Sequence, residues 1–208
     1  MRTLTKELRD RLTPKEALEV LRKGNERFVY NLKAHRDLLE QVNETSDGQH
    51  PFAAILSCMD SRTSAELIFD QGLGDIFSIR IAGNVLNEDV LGSLEFATKI
   101  AGSKIIVVLG HTKCGAITAA CDDIRMGSLT ILLDKIKPVI ESEAETKVQR
   151  NGGNPSFVYN VTKLNVQMTI EIIKKQSPII SDLMSSGEIN LVGGIYDVDT
   201  GRVDFFSK

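Results

Sequence analysis

Lys104-Ile105-Ile106-Val107-Val108-Leu109, followed without a break by Gly110-His111-Thr112-Lys113-Cys114-Gly115, is the stretch on which the fold turns. Its first half is apolar without the alternation of a half-solvated strand, which is the pattern of a strand covered on both faces in a parallel sheet. Phe52-Ala53-Ala54-Ile55-Leu56-Ser57, Ile76-Phe77-Ser78-Ile79-Arg80-Ile81 and Ile189-Asn190-Leu191-Val192-Gly193-Gly194-Ile195 read the same way. Helical patterns over residues 64–71, 87–100, 115–125 and 160–176 lie between these runs, so strands and helices alternate as in α/β folds. The last run leads through Asp199-Thr200-Gly201 into Arg202-Val203-Asp204-Phe205-Phe206, a hairpin that adds an antiparallel strand at the sheet edge, where mixed polarity is tolerated. The expected architecture is α/β: a mostly parallel central sheet of about four parallel strands plus an antiparallel edge strand, flanked by helices.

Ahead of the first run, Thr13-Pro14-Lys15-Glu16 offers an N-cap, a proline at the first helical position and a glutamate three residues after the cap. Ala17, Leu18, Leu21 and Phe28 continue it as a helix. The polar stretch from Lys33 to Gln49 reads as a short helix and a loop turning at Asp47-Gly48. Residues 1–50 are thus expected to form an N-terminal helical arm on an α/β core of residues 51–208, together one domain of the size that 208 residues support. Glu141 to Asn154 is charged and closes on Asn151-Gly152-Gly153-Asn154-Pro155, a surface excursion ending in a cluster of helix breakers. The chain has no internal repeat and no low-complexity tract.

Apolar residues make up 42% of the chain and charged residues 25%, the balance of a soluble globular protein rather than a disordered one. A net charge of -3 offers no basic footprint for nucleic acid and no polybasic anchor for a membrane. Met1 to Asp10 carries Arg2, Lys6 and Arg9 with no apolar stretch behind them, so it does not read as a secretory signal. No run approaches the roughly 20 apolar residues that span a bilayer. The expected location is the cytoplasm. In that reducing compartment three cysteines read as ligands or buried thiols rather than disulfide partners.

Two short segments carry the chemistry. Cys58-Met59-Asp60-Ser61-Arg62 follows the first apolar run, and His111-Thr112-Lys113-Cys114-Gly115 follows the third. In an open α/β sheet the loops leaving the carboxyl ends of strands converge where strand order reverses, and ligands bind there. Cys58, His111 and Cys114 supply the thiolate and imidazole donors that zinc prefers, leaving a fourth position for Asp60 or for water. A structural zinc cage normally closes its tetrahedron with four thiolate or imidazole ligands, whereas the fourth candidate here is a carboxylate with a competitor two residues on. Arg62 can hold Asp60 in a two-pronged hydrogen bond and free the position for a water that zinc acidifies into a nucleophile. Two thiolates neutralise the cation more than three imidazoles do, which predicts activity rising on the alkaline side of neutrality.

Cys58-x-Asp60-x-Arg62 followed by His111-x-x-Cys114 resembles the signature of the β-class carbonic anhydrases. The likeness extends to Arg80-Ile81-Ala82-Gly83-Asn84 and to Gly92-Ser93-Leu94-Glu95-Phe96-Ala97, and covers the chain from about Leu12 to Phe206. The resemblance implies a zinc enzyme interconverting carbon dioxide and bicarbonate, with zinc on Cys58, His111 and Cys114 and the Asp-Arg pair on Asp60 and Arg62. It also implies a homodimer or homotetramer in which the helix from Thr13 to Tyr30 embraces a neighbouring subunit. Some members carry a tryptophan, part of a regulatory bicarbonate site, where this chain has Ile55, and this chain has no tryptophan at all. Arg80 is left to offer a cationic contact there. The segment from Arg80 to Asn84 also departs from the family's more usual Arg-Asn-x-Ala-Asn form.

Two other functions use the same residues: hydrolysis of a related heterocumulene, carbonyl sulfide or carbon disulfide, and a non-catalytic scaffold that zinc stabilises. Cys121 falls on a helical face with Ile117 and Ile124 and reads as a core thiol. His35 and His50 stand in polar surroundings and read as solvent-facing. Lys113 reads as a solvated side chain that could steer bicarbonate, and Gly83 and Asn84 as turn residues.

Overall fold

A computed structural model describes residues 3–206; Arg2 of the basic N-terminal segment lies outside them. The chain opens with α1 (Lys6–Arg11), α2 (Pro14–Val29) and α3 (Leu38–Glu44). It continues through β1 (Ala53–Ser57), α4 (Ala65–Ile68), β2 (Ile76–Arg80), a single 3-10 turn at Ala82–Asn84, α5 (Glu88–Glu95), which runs on as a π-helical turn at Phe96–Ile100, and β3 (Ile105–His111). Then come α6 (Gly115–Cys121), α7 (Gly127–Asp134), α8 (Lys137–Ser142), α9 (Pro155–Gln176), α10 (Pro178–Ser185), β4 (Asn190–Tyr196) and β5 (Val203–Phe205).

The five strands form one sheet in the order β2-β1-β3-β4-β5. β1 to β4 are parallel, and β5 returns antiparallel on the edge of β4, pairing Tyr196 with Val203 and Gly194 with Phe205. This is the mostly parallel sheet with an antiparallel edge that the apolar runs predict. Alternate residues of the central strands feed two cores. Ile55, Ile105, Val107 and Leu109 meet Ala17 and Leu21 of α2 and Phe69 beyond α4. Leu56, Ile106, Val108 and Leu191 meet Leu94 of α5, Val166 and Ile173 of α9 and Ile180 of α10. Each such side chain taken fully out of water contributes about 1.5–3 kcal/mol, which is why β1 and β3 read as unbroken apolar runs. A third cluster caps the carboxyl end of the sheet: Ile117, Leu133, Ile136, Val139 and Phe157 pack around Cys58 and Cys114.

Helix ends depart from the sequence reading for local reasons. At α2 the capping box forms as expected, Glu16 N–H donating to Thr13 Oγ1 at 3.2 Å and Thr13 N–H to Glu16 Oε2 at 2.9 Å. α4 stops at Ile68, short of the predicted Gln71, because Asp70 adopts a left-handed φ of +45°. α6 likewise ends at Cys121 ahead of Asp123, at φ +52°. α9 begins five residues before the predicted Asn160, because Asn154 caps it, accepting from the Ser156 and Phe157 amides, and Pro155 occupies its first turn. The sequence reading places no element at α1, α7, α8 or α10, each of which has eight residues or fewer. The excursion after α8 is tied down: Glu143, 3% exposed, accepts from the Thr146 amide at 2.9 Å and from Arg150 Nη1 at 2.5 Å. Among the described residues no helix is long and apolar enough to cross a membrane.

Candidate metal centre

Strand order reverses between β1 and β3, since the chain moves outward to β2 on one side and to β4 and β5 on the other. Register places Ser57 opposite Leu109, so Cys58, the first residue past β1, emerges level with the end of β3 and His111. After His111 the backbone turns through Lys113 at φ +56°, and Cys114 stands at the N-cap position immediately before α6. Three donor atoms from distant parts of the chain thereby converge.

The imidazole and the two sulfurs all lie within 4.8 Å of one another, and the sulfurs of Cys58 and Cys114 are 3.9 Å apart. Two sulfurs each about 2.3 Å from a tetrahedral zinc would be separated by about 3.8 Å. All three residues are buried, at 4%, 1% and 1% exposure for Cys58, His111 and Cys114. His111 Nδ1 lies 2.9 Å from the Thr112 carbonyl oxygen, which can only accept, so the proton sits on Nδ1 and Nε2 keeps its lone pair. Nε2 is buried without a hydrogen-bond partner among the described residues, an omission that a bound cation repairs. The donor set and its spacing fit zinc.

Without a metal the sulfurs divide the protons unequally. The contact with Cys114, against the opposing effect of burial and with help from His111 and from the Asp60 and Gly83 amides, pulls the Cys58 thiol down. The same contact, with burial, pushes Cys114 up, and the Ile117 and Ala116 amides oppose it. A divalent cation replaces the proton that the pair would otherwise hold between them.

Asp60 stands beside this group. Arg62 donates to it three times: backbone N–H and Nε to Oδ1, both at 2.9 Å, and Nη2 to Oδ2 at 2.7 Å. That guanidinium holds the Asp60 carboxyl well below the usual carboxylate range. Oδ2 lies 4.0 Å from His111 Nε2. The loop that carries Cys58 and Asp60 is fastened through its own carbonyls: the Thr63 hydroxyl is 2.9 Å from Cys58 O and 2.8 Å from Asp60 O, and Arg80 donates to the same two oxygens at 3.2 and 2.6 Å. Arg80 therefore braces the backbone of this loop, and because both acceptors are neutral carbonyls its positive charge remains beside the site.

Other sequence readings resolve as follows. Lys113 is exposed and pairs with Asp199 at 2.6 Å. Cys121 is partly buried against the cluster that holds Ile117, and burial pushes its thiol up to about 11; Ile124 lies beyond the helix and is exposed. His35 is exposed and His50 half-buried. Gly83 is a turn residue, as read, but its N–H also donates to Cys58 Sγ at 3.4 Å, and Asn165 of α9 bonds its carbonyl. Asn165 carries no site motif. Its one sequence signal is an amide within an apolar helical stripe beside Val161, Thr162 and Val166.

The comparisons with known proteins agree with this geometry. Residues 53–203 match the family model described as carbonic anhydrase. The chain belongs to the β-carbonic anhydrases. Carbonic anhydrase 2 of Mycobacterium tuberculosis is 38% identical over 190 residues, covering 91% of each chain. The carbonic anhydrase of Mycolicibacterium smegmatis is 32% identical over 195 residues, 93% of this chain and 94% of that one. Among solved structures, a tetrameric β-carbonic anhydrase of Sordaria macrospora shares the fold, with a TM-score of 0.70 at 23% identity over 80% of this chain and 85% of that one.

Proposed function

We propose that this chain catalyses the reversible hydration of carbon dioxide to bicarbonate and a proton, with zinc held by Cys58, His111 and Cys114. The observation that carries the reading is the convergence of those three buried donors beside a carboxylate that an arginine already occupies. Bound zinc would supply a Lewis acid and an acidified water at its fourth position. Asp60 would orient that water by accepting its hydrogen bond. Oδ2 takes one bond from Arg62, retains lone-pair capacity and points toward the His111 side of the site. Arg62 keeps this carboxylate ionised, so it accepts rather than donates, and holds it off the metal. The apolar cluster of Ile117, Ile136 and Phe157 lowers the dielectric behind the two sulfurs and strengthens every charge interaction in front of them.

The deciding experiment is stopped-flow hydration on purified protein with zinc quantified in the same sample, run beside carbonyl sulfide and carbon disulfide. Wild type should turn over carbon dioxide, with a rate rising from about pH 7 to pH 9 because two thiolates leave the water less acidic than an all-histidine site does. Asp60→Ala and Arg62→Ala should each keep one zinc per chain and lose about 100-fold in rate. Cys114→Ser should lose zinc and activity together. A zinc-loaded wild type that hydrates no carbon dioxide would refute the reading.

The same reading takes the chain as one cytoplasmic domain acting as a homodimer or homotetramer through its N-terminal arm. Supporting it, Leu8, Tyr30, Leu32, Leu38 and Leu39 of the arm are exposed apolar side chains, Leu39 at 71%. Light scattering on the full chain should give a mass of two or four chains, and a monomer would remove this part.

A further inference from the structure

We infer that Asn165, on the buried face of α9, is a positioning residue for the metal centre: its amide holds the Gly83 backbone so that the Gly83 N–H stays aimed at the Cys58 sulfur. The inference rests on the zinc reading above and adds to it a residue outside the ligand loops. Asn165 is 4% exposed, and Nδ2 donates to Gly83 O at 2.9 Å. A buried amide among Val161 and Val166 is retained at a cost unless it is bonded, and the described bond of this one goes to a single carbonyl beside the metal loop.

Gly83 needs such an anchor. It sits at φ +64° and ψ +16°, and glycine is the residue whose dihedrals are least constrained by its own structure. On one side, Ile136 Cδ1 and Ala116 Cβ approach to 3.1 and 3.4 Å of where a Cβ would stand. On the other, Asn165 fixes the carbonyl and with it ψ. With ψ held in this way, the N–H of the same residue stays directed at Cys58 Sγ, 3.4 Å away. An N–H bond to a thiolate withdraws electron density from the sulfur, so Cys58 donates less to a bound cation and leaves it the stronger Lewis acid. Asn165 acts on the metal through this backbone segment, without touching it.

The test is spectroscopic. In protein loaded with cobalt(II) in place of zinc, Asn165→Leu should retain one metal per chain and move the thiolate-to-cobalt charge-transfer band to longer wavelength, while Asn165→Gln, which keeps the donor, should move it less. A stoichiometrically loaded Asn165→Leu protein with the wild-type band would overturn the inference and leave the zinc reading standing. If the leucine variant does not fold, the unaltered protein decides: loaded with cadmium-113, it should show a through-bond coupling between the metal and the Gly83 amide proton, and its absence would overturn the inference. A wild-type chain that takes up no metal of any kind would end both.

Discussion

Gly83 occupies the left-handed region at φ +64°, where an L side chain is disfavoured by about 1–2 kcal/mol. An added Cβ would also meet Ile136 Cδ1 at 3.1 Å, but that is the far end of a flexible side chain and can give way. Gly83→Ala should therefore lower stability by about 1–2 kcal/mol, seen as a lower urea midpoint with an unchanged slope. An unshifted midpoint would show that the turn relaxes freely. The ligands differ from this glycine in what a sequence displays of them. Cys58, His111 and Cys114 are legible because donor identity and short spacing are local properties, and Asp60 with Arg62 because a partner two residues away is local too. Arg80 is legible only as a cation; that it serves two carbonyl oxygens depends on where β2 delivers it. Gly83 and Asn165 act through a hydrogen bond between residues 82 positions apart, which no spacing rule encodes.

Among the elements, the side chain of Asn25 bonds α2 to the β4–β5 hairpin. Asn25 is 6% exposed; its Nδ2 donates to Gly201 O at 2.8 Å and to Ile68 O at 3.1 Å, while its Oδ1 accepts from Val203 N–H at 2.9 Å. The same hairpin meets the metal turn, where Thr112 N–H donates to Tyr196 O and Val198 N–H to Thr112 Oγ1. Removing the amide strands three backbone groups, two of them in part-buried surroundings, and each buried unsatisfied group costs about 1–3 kcal/mol. Asn25→Ala should lower the unfolding free energy by about 3 kcal/mol and speed amide exchange at Val203; loss within about half a kcal/mol would mean that water replaces the side chain in full. Close approach at the adjoining residue explains the neighbouring glycine, since a Cβ on Gly24 would fall 1.8 Å from Phe69 O. The strands are the more legible elements because burial on both faces leaves an apolar run with no competing reading. The short helices α7 and α8 draw their stability from docking rather than from their own periodicity, whereas α10 has a readable start that the sequence reading missed, Ser177 accepting from the Ile180 amide with Pro178 in the first turn.

Across the whole molecule, buried carboxylates tie peripheral segments together and make stability depend on acid. Asp70, 5% exposed, accepts from Arg27 Nε at 2.5 Å, Arg36 Nη1 at 2.6 Å and the Ala34 amide at 3.1 Å, tying α2 and the segment after it to the end of α4. Burial pushes its carboxyl up, but Arg27, the Ala34 amide and Arg36 together outweigh burial and leave it lowered. At Glu143 burial is likewise outweighed, by the Thr146 amide and hydroxyl, Asn160 and Arg150. Both groups bind a proton less readily when folded than when unfolded. Their stabilisation is therefore complete above the unfolded carboxylate value of about 4 and is lost as pH falls through their lower folded values. Asp75 has the opposite sign: burial raises its carboxyl against the Gly72 and Leu4 amides, so protonation favours its folded form. With Asp60, Asp70 and Glu143 lowered against Asp75 raised, the urea midpoint should fall as the solution is acidified from about pH 5 to pH 3, each group changing stability by at most about 1.4 kcal/mol for each tenfold rise in acidity. Asp70→Asn should be less stable than wild type at pH 7 and should approach it as pH drops, because the mutant has already lost what acid removes. If the two proteins instead lost stability in parallel over that range, Asp70 would not be among the groups that hold the arm in place.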